Sequence, residues 1–198
     1  TNGIGKAVPT NAGLLCLSEH PQRFLHQAIV KCAFFKGKSK TDYIIDRKWL
    51  EGDLLTQLEQ AVKFVNSSMK IARKREDIRE DIPQYSIEAI KEAIINTLQH
   101  RDYFMFGNDI MILMFEDRLE IENPGGLGGG LKIIEDITQR RYNRNPLLAS
   151  YFFDFKKVEA LGTGIKKIKE ECEKLGTKPP LFEADRDFFK VIFYPKFV

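Results

Sequence analysis

Cysteine and histidine are scarce in this sequence, and long apolar runs are absent. Three cysteines and three histidines occur among 198 residues, and none of them has CxxC, HExxH or a similar spacing. Because a zinc site needs closely spaced Cys and His ligands, we expect no zinc, and we also expect no haem or flavin. We interpret the cysteines as reduced, mostly buried thiols of a cytoplasmic protein. They are Cys16, Cys32 and Cys172.

No apolar stretch approaches the ~20 residues that cross a bilayer, so a membrane partner is not expected. The first ten residues, TNGIGKAVPT, lack both an initiator methionine and the apolar core of a signal peptide. We therefore expect a fragment of a longer chain whose missing N-terminal segment contributes further contacts. The formal net charge of +3 is too small to indicate nucleic-acid binding by itself.

The stretch SIEAIKEAIINTLQHRDY, from Ser86 to Tyr103, has the pattern of an amphipathic helix. Ser86 is a favourable N-cap, and Glu88 lies in the first turn, at the positive end of the helix dipole. An apolar stripe with helical spacing follows, and it predicts one buried face. Its members are Ile87, Ile90, Ile94 and Leu98.

A second stripe on this helix consists of Glu92, Asn96 and His100, spaced four residues apart. One interpretation is a solvated face on a purely structural helix. Against it, Asn is unfavourable inside a helix. A carboxylate, an amide and an imidazole on successive turns could instead hold a metal ion or activate a water molecule. The spacing leaves both interpretations open.

Patterns along the rest of the chain predict an α+β protein. Runs at 28–35 and 43–50 predict neighbouring strands, and segments 109–122 and 181–193 predict two hairpins. Helices are predicted after Asp53, at 131–138, at 146–155 and from Gly164 onwards. We expect a layered sandwich with a mixed, mainly antiparallel sheet covered by helices, plus a small N-terminal α/β portion. The charge-dense passage 69–84 predicts an exposed strand or linker, and we place the domain boundary there, dividing 1–68 from 69–198.

Two glycine-rich turns and a basic segment are candidate ligand sites. The loop 124–131 has five glycines in eight residues, which allows either a close backbone approach to an anion or a merely flexible connection. Its spacing matches neither a P-loop nor a Rossmann motif. Gly162 and Gly164 begin a later helix, a general arrangement for anion binding. Arginines between the two turns could contact phosphates of a nucleotide or nucleic acid, or stay solvated. They are Arg140, Arg141 and Arg144.

Three phrases in this order carry a family resemblance: EAIKEAIINTLQHRDY, LEIENPGGL with RYNRNPLLA, and VEALGTGIKKI. They resemble the C-terminal module of the RecG-related family of ATP-dependent DNA helicases and transcriptional regulators. The segment PTNAGLLCLSEHPQRFLHQAIVKCAFFKG is similar to the tail of the Schlafen/AlbA-type DNA-binding domain that precedes this module. The sequence contains no helicase motor motif, so the resemblance does not imply strand separation.

The module is similar in turn to the ATP-binding fold of gyrase, heat-shock chaperones, histidine kinases and MutL. The resemblance implies that Glu92 orients or deprotonates water and that Asn96 holds Mg²⁺. His100, on the same stripe, is a further candidate for cofactor binding. It further implies an adenine pocket at the first turn and phosphate contacts at the second. The implied pocket residues are Glu122, Asn123, Gly125 and Gly126, and the implied phosphate residues are Gly162, Thr163 and Gly164.

Departures from the family pattern have physical consequences. Glu122 stands where the larger group has Asp, and Pro124 replaces a glycine, which removes an N–H and fixes φ. We therefore expect ATP–Mg²⁺ binding as a regulatory switch, with at most weak ATPase activity, in a homodimeric DNA-binding regulator. The alternative is a ligand-free DNA-binding or dimerisation scaffold. For nucleotide binding, Glu92 and Asn96 must face a hollow between the two glycine turns with room for a triphosphate.

Overall fold

The computed structural model describes residues 5, 7–74, 80–129, 142–155 and 163–198. Within these ranges the helices are α1 (Asn11–Leu17), α2 (Leu54–Ser68), α3 (Ile87–His100), α4 (Pro146–Asp154) and α5 (Gly164–Leu175). The strands are β1 (Val30–Lys36), β2 (Tyr43–Leu50), β3 (Ile71–Lys74), β4 (Glu80–Pro83), β5 (Ile110–Met114), β6 (Leu119–Pro124), β7 (Leu181–Ala184) and β8 (Phe188–Phe193). The predicted helix at 131–138 lies outside the described residues.

Local sequence signals explain where several helices begin and end. The Ser86 hydroxyl accepts the N–H of Ala89 at 3.3 Å and caps α3. The Asp53 carboxylate accepts the N–H of Thr56 at 2.9 Å at the start of α2. Gly176 follows α5 with φ +75°, a left-handed conformation that glycine adopts without strain.

Six strands form one open sheet in the order β2-β1-β5-β6-β8-β7. β1 and β5 are parallel, and the other neighbours in this sheet are antiparallel. This arrangement confirms the predicted α+β class and its mixed, mainly antiparallel sheet. β1 and β2 extend the same sheet as the later strands, so it runs through both predicted parts of the chain. The division at residues 68 and 69 stays a prediction.

The passage 69–84 is more regular than the sequence indicates. It contains the antiparallel pair β3–β4, in which Ile71 lies opposite Pro83 and Ala72 lies opposite Ile82. Adjacent charged residues in each strand, Arg73-Lys74 and Glu80-Asp81, hid this pairing, because they disrupt the apolar alternation that identifies a strand.

The main core lies between the helices and one face of the six-stranded sheet. It includes inward side chains from all five described helices, among them Leu58, Ile94 and Ile168. Alternate strand positions such as Ile121 and Val191 complete it. None of the helices in the described ranges is long and apolar enough to cross a membrane.

The opposite face of the sheet carries a smaller apolar cluster. Phe35, Leu113 and Phe115 form its buried part, and the Phe35 and Phe115 rings stack at 5.0 Å. The Arg118 guanidinium lies 4.1 Å from the centre of the Phe115 ring. We call this side the open face, because the described helices contribute their buried side chains to the other side.

Leu98 and Leu17 provide a matched test of the core. Leu98 on α3 is fully buried, whereas Leu17 at the end of α1 is 81% exposed. We expect Leu98→Ala to lower the free energy of unfolding by about 2–5 kcal/mol, because it removes buried methyl groups and leaves a cavity. Leu17→Ala should change it by less than about 0.5 kcal/mol. Urea denaturation measures both, and equal effects would contradict this account of the core.

Candidate functional site

The polar stripe of α3 is turned into the protein. The Glu92 side chain is only 3% exposed, and Asn96 is half-buried. The Asn96 amide donates from Nδ2 to Glu92 Oε1 at 3.4 Å. Burial of an unpaired carboxylate is strongly unfavourable, so Glu92 needs such partners. A solvated face is therefore the wrong interpretation for these two residues.

The N-terminus of α5 packs directly against this stripe. Lys167, in the first turn of α5, places Nζ 3.8 Å from Glu92 Oε2. A Cβ atom at position 164 would lie 2.5 Å from Asn96 Nδ2 and 2.8 Å from Glu92 Oε1. A side chain at this position would require the ends of the Asn96 and Glu92 side chains to move. The structure thus brings Glu92, Asn96, Thr163 and Gly164 together, while Gly162 lies outside the described residues.

This packing affects the space that nucleotide binding requires beside Glu92 and Asn96. With the side chains in these positions, Gly164 lies too close to Asn96 and Glu92 to leave room for a triphosphate between them. In this conformation the polar stripe therefore contacts helix α5 instead of an open cavity. A ligand that reaches Asn96 from this side requires the Asn96 and Glu92 side chains or the start of α5 to shift.

The first glycine turn is engaged in packing with the β7–β8 hairpin. The Gly125 N–H donates to the Asp187 carbonyl at 2.9 Å, and the Gly126 N–H donates to the Arg186 carbonyl at 3.2 Å. Gly125 has φ +93°, and a Cβ at Gly126 would collide with the Asp185 carbonyl. These glycines allow close backbone approach. Their N–H groups are already paired, so they do not cradle an anion here.

Glu122 and Asn123 point to opposite faces of the sheet. Glu122 pairs across the strands with Met111 and Lys190 on the open face, and Lys190 Nζ lies 3.8 Å from its carboxylate. Glu122 is thus separated by the sheet from Glu92 and Asn96. Asn123 is 3% exposed and follows the same alternation as the core residue Ile121. Among the described residues, nothing donates a hydrogen bond to its Oδ1.

Arg144 and Asn145 join the end of α3 to the first glycine turn. Arg144 donates from Nη1 to Asp102 Oδ2 at 3.1 Å and from Nη2 to the Gly126 carbonyl at 2.8 Å. Asn145 Nδ2 donates to the carbonyls of Gln99 and Arg101 at 2.9 and 2.8 Å, which satisfies acceptors at the C-terminal end of the helix. The Arg144 guanidinium is therefore engaged within the chain. Arg140 and Arg141 lie outside the described residues.

His100 lies at the end of the polar stripe in an environment that opposes its protonation. Burial, and then the nearby Arg144 cation, lower its pKa to about 4. The imidazole is consequently neutral near pH 7 and provides no positive charge for a phosphate. It is also separate from the Glu92–Lys167 ion pair at the other end of the stripe.

Arg101 and Tyr103 stabilise the turn after α3. Arg101 is fully buried and donates from Nη2 to the Asn108 carbonyl at 2.8 Å, with its guanidinium 5.6 Å from the Tyr103 ring. The Tyr103 hydroxyl donates to the Leu98 carbonyl at 2.9 Å. Burial is also the main cause that lowers the Arg101 pKa. The HRDY phrase therefore has a structural role at this corner.

Comparison with known proteins connects this geometry to a family. Residues 107–193 match the sequence model of the family described as "Putative ATP-dependent DNA helicase recG C-terminal". This part of the chain is therefore similar to the RecG-related family. The match and the mixed sheet confirm the predicted module and its ATPase-like fold. No curated protein sequence matches the chain.

The DIP2311 protein from Corynebacterium diphtheriae has a similar solved structure, with a TM-score of 0.76 and 20% sequence identity. The similarity covers 93% of this chain and 37% of that one, so the chain spans about a third of the length of that protein. At this identity the likeness establishes the fold alone. Helix α3 precedes the residues matched by the RecG-related family, so the roles of Glu92 and Asn96 rest on geometry.

Asn145→Ala tests the contact that caps α3. We expect the variant to lower the free energy of unfolding by about 1–3 kcal/mol, because two carbonyls at the helix end lose their donor. Asn143→Ala is the matched control, since Asn143 is exposed and makes one 3.3 Å contact with Gln99. Chemical denaturation compares the two, and an equal loss in both variants would show that the cap is unimportant.

The low pKa of His100 predicts a pH-dependent stability. NMR titration of its imidazole should give a midpoint near pH 4. An unfolded histidine titrates near 6.5, so between these values the unfolded chain binds more protons than the folded one. The free energy of unfolding should therefore fall as pH decreases from about 6.5 to 4. His100→Gln should flatten this part of the profile, and an unchanged profile in that variant would exclude His100 as the cause.

Proposed function

We propose that the RecG-related domain binds ATP with Mg²⁺ at the junction of α3 and α5 and uses the nucleotide as a regulatory switch. The observation that carries this proposal is the buried Glu92 carboxylate with Asn96 beside it, both against a helix N-terminus. A helix N-terminus favours anions through its free N–H groups and its dipole. The ATP-dependent activity named for the family is consistent with this ligand.

Asn96 and the start of α5 are the groups that would hold the metal–triphosphate. Mg²⁺ usually retains several water ligands and takes only one or two protein ligands in addition to phosphate oxygens. A single amide oxygen therefore suffices, and a cluster of acids is not required. Within the described parts of the chain, no group of three or more His, Cys, Asp or Glu side chains is placed to hold a metal. Bound Mg²⁺ would neutralise part of the phosphate charge.

Asn123 is a better candidate than Glu122 for recognising the base. Its Oδ1 is a buried acceptor without a donor among the described residues, whereas Glu122 lies on the open face beside Lys190. A buried acceptor without a partner is unfavourable, and the exocyclic amino group of adenine is a donor that would satisfy it. The fit of an adenine nucleotide to this loop therefore depends on Asn123.

The Glu92–Lys167 ion pair favours binding over rapid hydrolysis. Glu92 would orient or deprotonate an attacking water, but a carboxylate that is already paired with a lysine is a weakened base. The phosphates would compete with Glu92 for the Lys167 ammonium group. We therefore propose that hydrolysis at this site is slow at most.

The switch follows from the contact between α5 and α3. Because Gly164 packs on Asn96, we propose that entry of a triphosphate moves the start of α5 away from α3. Such a movement would change the surface presented to a second subunit or to a DNA-binding segment. We propose on this basis a homodimeric, DNA-binding transcriptional regulator that responds to nucleotide.

A ligand-free scaffold is the second candidate, and a specific observation favours it. The N–H groups of Gly125 and Gly126 are bonded to Asp187 and Arg186, and Gly164 fills the space beside Asn96. If this conformation is permanent, the glycines serve helix and hairpin packing only. The chain would then be a DNA-binding or dimerisation scaffold with a degenerate nucleotide site.

Thermal unfolding with and without ATP–Mg²⁺ separates these candidates. A ligand at ~100 times its Kd adds ~2.7 kcal/mol to the free energy of unfolding, so Tm should rise by several degrees. Asn96→Ala and Asn123→Ala should abolish or strongly reduce the rise. Glu122→Gln is the matched control and should keep it, because Glu122 lies on the open face.

Two outcomes would reject the site as described. No rise in Tm at millimolar ATP favours the scaffold. A rise that survives Asn96→Ala but disappears in Glu122→Gln would place the nucleotide on the other side of the sheet.

A further inference from the structure

The positive charge of the chain is concentrated in the β1–β2 hairpin. Residues 30–50 contain six Lys or Arg and two Asp side chains, a net charge of +4, whereas the whole chain carries +3. The remainder of the protein is therefore net −1. The cations of the hairpin are Lys31, Lys36, Lys38, Lys40, Arg47 and Lys48.

The lysines of the hairpin turn are exposed, and the Asp42 side chain stabilises the backbone of this turn. The Asp42 carboxylate accepts the N–H groups of Lys38 and Ser39 at 2.9 and 2.8 Å. It thereby stabilises the backbone of the turn, and no ion pair links it to the turn lysines in the described residues. Lys36, Lys38 and Lys40 thus form a cationic tip at one end of the hairpin.

An exposed aromatic side chain lies further along the same hairpin. Trp49 is 67% exposed and lies opposite Lys31 in the pairing of β2 with β1. Arg47 precedes it by two residues and lies opposite Ala33, which packs on the open-face cluster, so both side chains project from the open face. The Arg47 guanidinium is 6.0 Å from the centre of the Trp49 ring.

The rest of the open face is electrically balanced. Arg118 pairs with Glu120 at 2.6 Å, and Lys190 pairs with Glu122 and Glu183 at 3.8 and 3.3 Å. The charges of these paired side chains therefore offset one another.

On the hairpin, Lys31 pairs with Asp109 at 2.6 Å, and Lys48 lies over the Phe64 ring on the helix side of the sheet. Arg47 is thus the cation beside the exposed Trp49 ring on this face, with the lysines of the turn beyond it.

We propose that the open face of the β1–β2 hairpin binds single-stranded nucleic acid. An unstacked base lies on the Trp49 ring, Arg47 contacts the adjoining phosphate, and the lysines of the turn contact the backbone further along. Aromatic rings beside cations are the usual means by which sheet surfaces hold single strands. A duplex keeps its bases stacked and does not offer a free base face to Trp49.

Charge favours this occupant over a second copy of the chain. A hairpin with net charge +4 repels an identical hairpin, whereas a phosphate backbone is attracted to it. β2 is also an edge strand, so the surface is open along one side for an extended ligand. The proposal is independent of nucleotide binding between α3 and α5.

Trp49 itself is the probe, because it is the only tryptophan in the chain. We expect oligo-dT of about 20 nucleotides, longer than a site of ~4–16 nucleotides, to quench its fluorescence saturably at low salt. The affinity should fall steeply as salt increases. Arg47→Ala should reduce the salt slope by about 0.7, the value for one phosphate contact on a single strand.

Anisotropy of a labelled oligo-dT measures the variants. Trp49→Ala should weaken binding by about fivefold or more, while Trp49→Phe should keep most of it because a ring remains. Arg186→Ala is the matched control for Arg47→Ala, since Arg186 is an exposed arginine at the β7–β8 turn and should leave binding unchanged. Circular dichroism checks that each variant is folded.

Several outcomes would overturn the proposal. Absence of quenching at low salt, equal affinity for a duplex of the same length, or wild-type binding by Trp49→Ala would each do so. Concentration-dependent dimerisation that Trp49→Ala abolishes, without any oligonucleotide binding, would assign the surface to a second copy of the chain instead.

Discussion

The close contact between α5 and the polar stripe of α3 is the constraint on which the candidate site depends. Gly164 allows the two helices to approach, and Lys167 then lies within ion-pair distance of Glu92. Without this approach, a carboxylate that is 3% exposed would remain buried without its cation. The same contact leaves no open space between Gly164 and Asn96 in this conformation.

The other end of α3 is held by different chemistry. Arg144 and Asn145 satisfy Asp102, the Gly126 carbonyl and the last carbonyls of the helix, so the first glycine turn and the helix end form one hydrogen-bonded unit. His100 lies beside this unit. Burial and the nearby Arg144 cation lower its pKa, so its imidazole is neutral near pH 7. Several hydrogen bonds therefore stabilise the C-terminal end of the helix, whereas in its middle Glu92 forms an ion pair with Lys167 of α5.

The remaining candidate functional residues lie on the two opposite faces of the sheet. Helices and most apolar side chains lie on one face, which also carries Asn123. The open face carries balanced ion pairs over β6 and β8, and an arginine beside an exposed tryptophan on β2. A nucleotide site on one face and a nucleic-acid surface on the other would therefore be separate, joined only through the sheet.

The sequence by itself determined the elements whose causes are local. The Ser86 and Asp53 caps, the apolar stripe of α3 and the C-terminal Gly176 each act within a few residues, so reading them in order predicts the helices and most strands. The alternation along β6 predicts that Glu122 and Asn123 lie on opposite faces of the sheet, with Asn123 on the same face as Ile121. The family motif nevertheless favoured Glu122 as the base-binding residue.

Only the tertiary structure decided which distant groups meet. The pairing of Glu92 with Lys167, the engagement of Arg144 by Asp102 and the packing of Gly164 on Asn96 join residues on separate elements. The parallel pairing of β1 with β5 likewise joins the β1–β2 hairpin to the rest of the six-stranded sheet. Such contacts depend on how the helices and strands pack in three dimensions, and no local spacing in the chain encodes them.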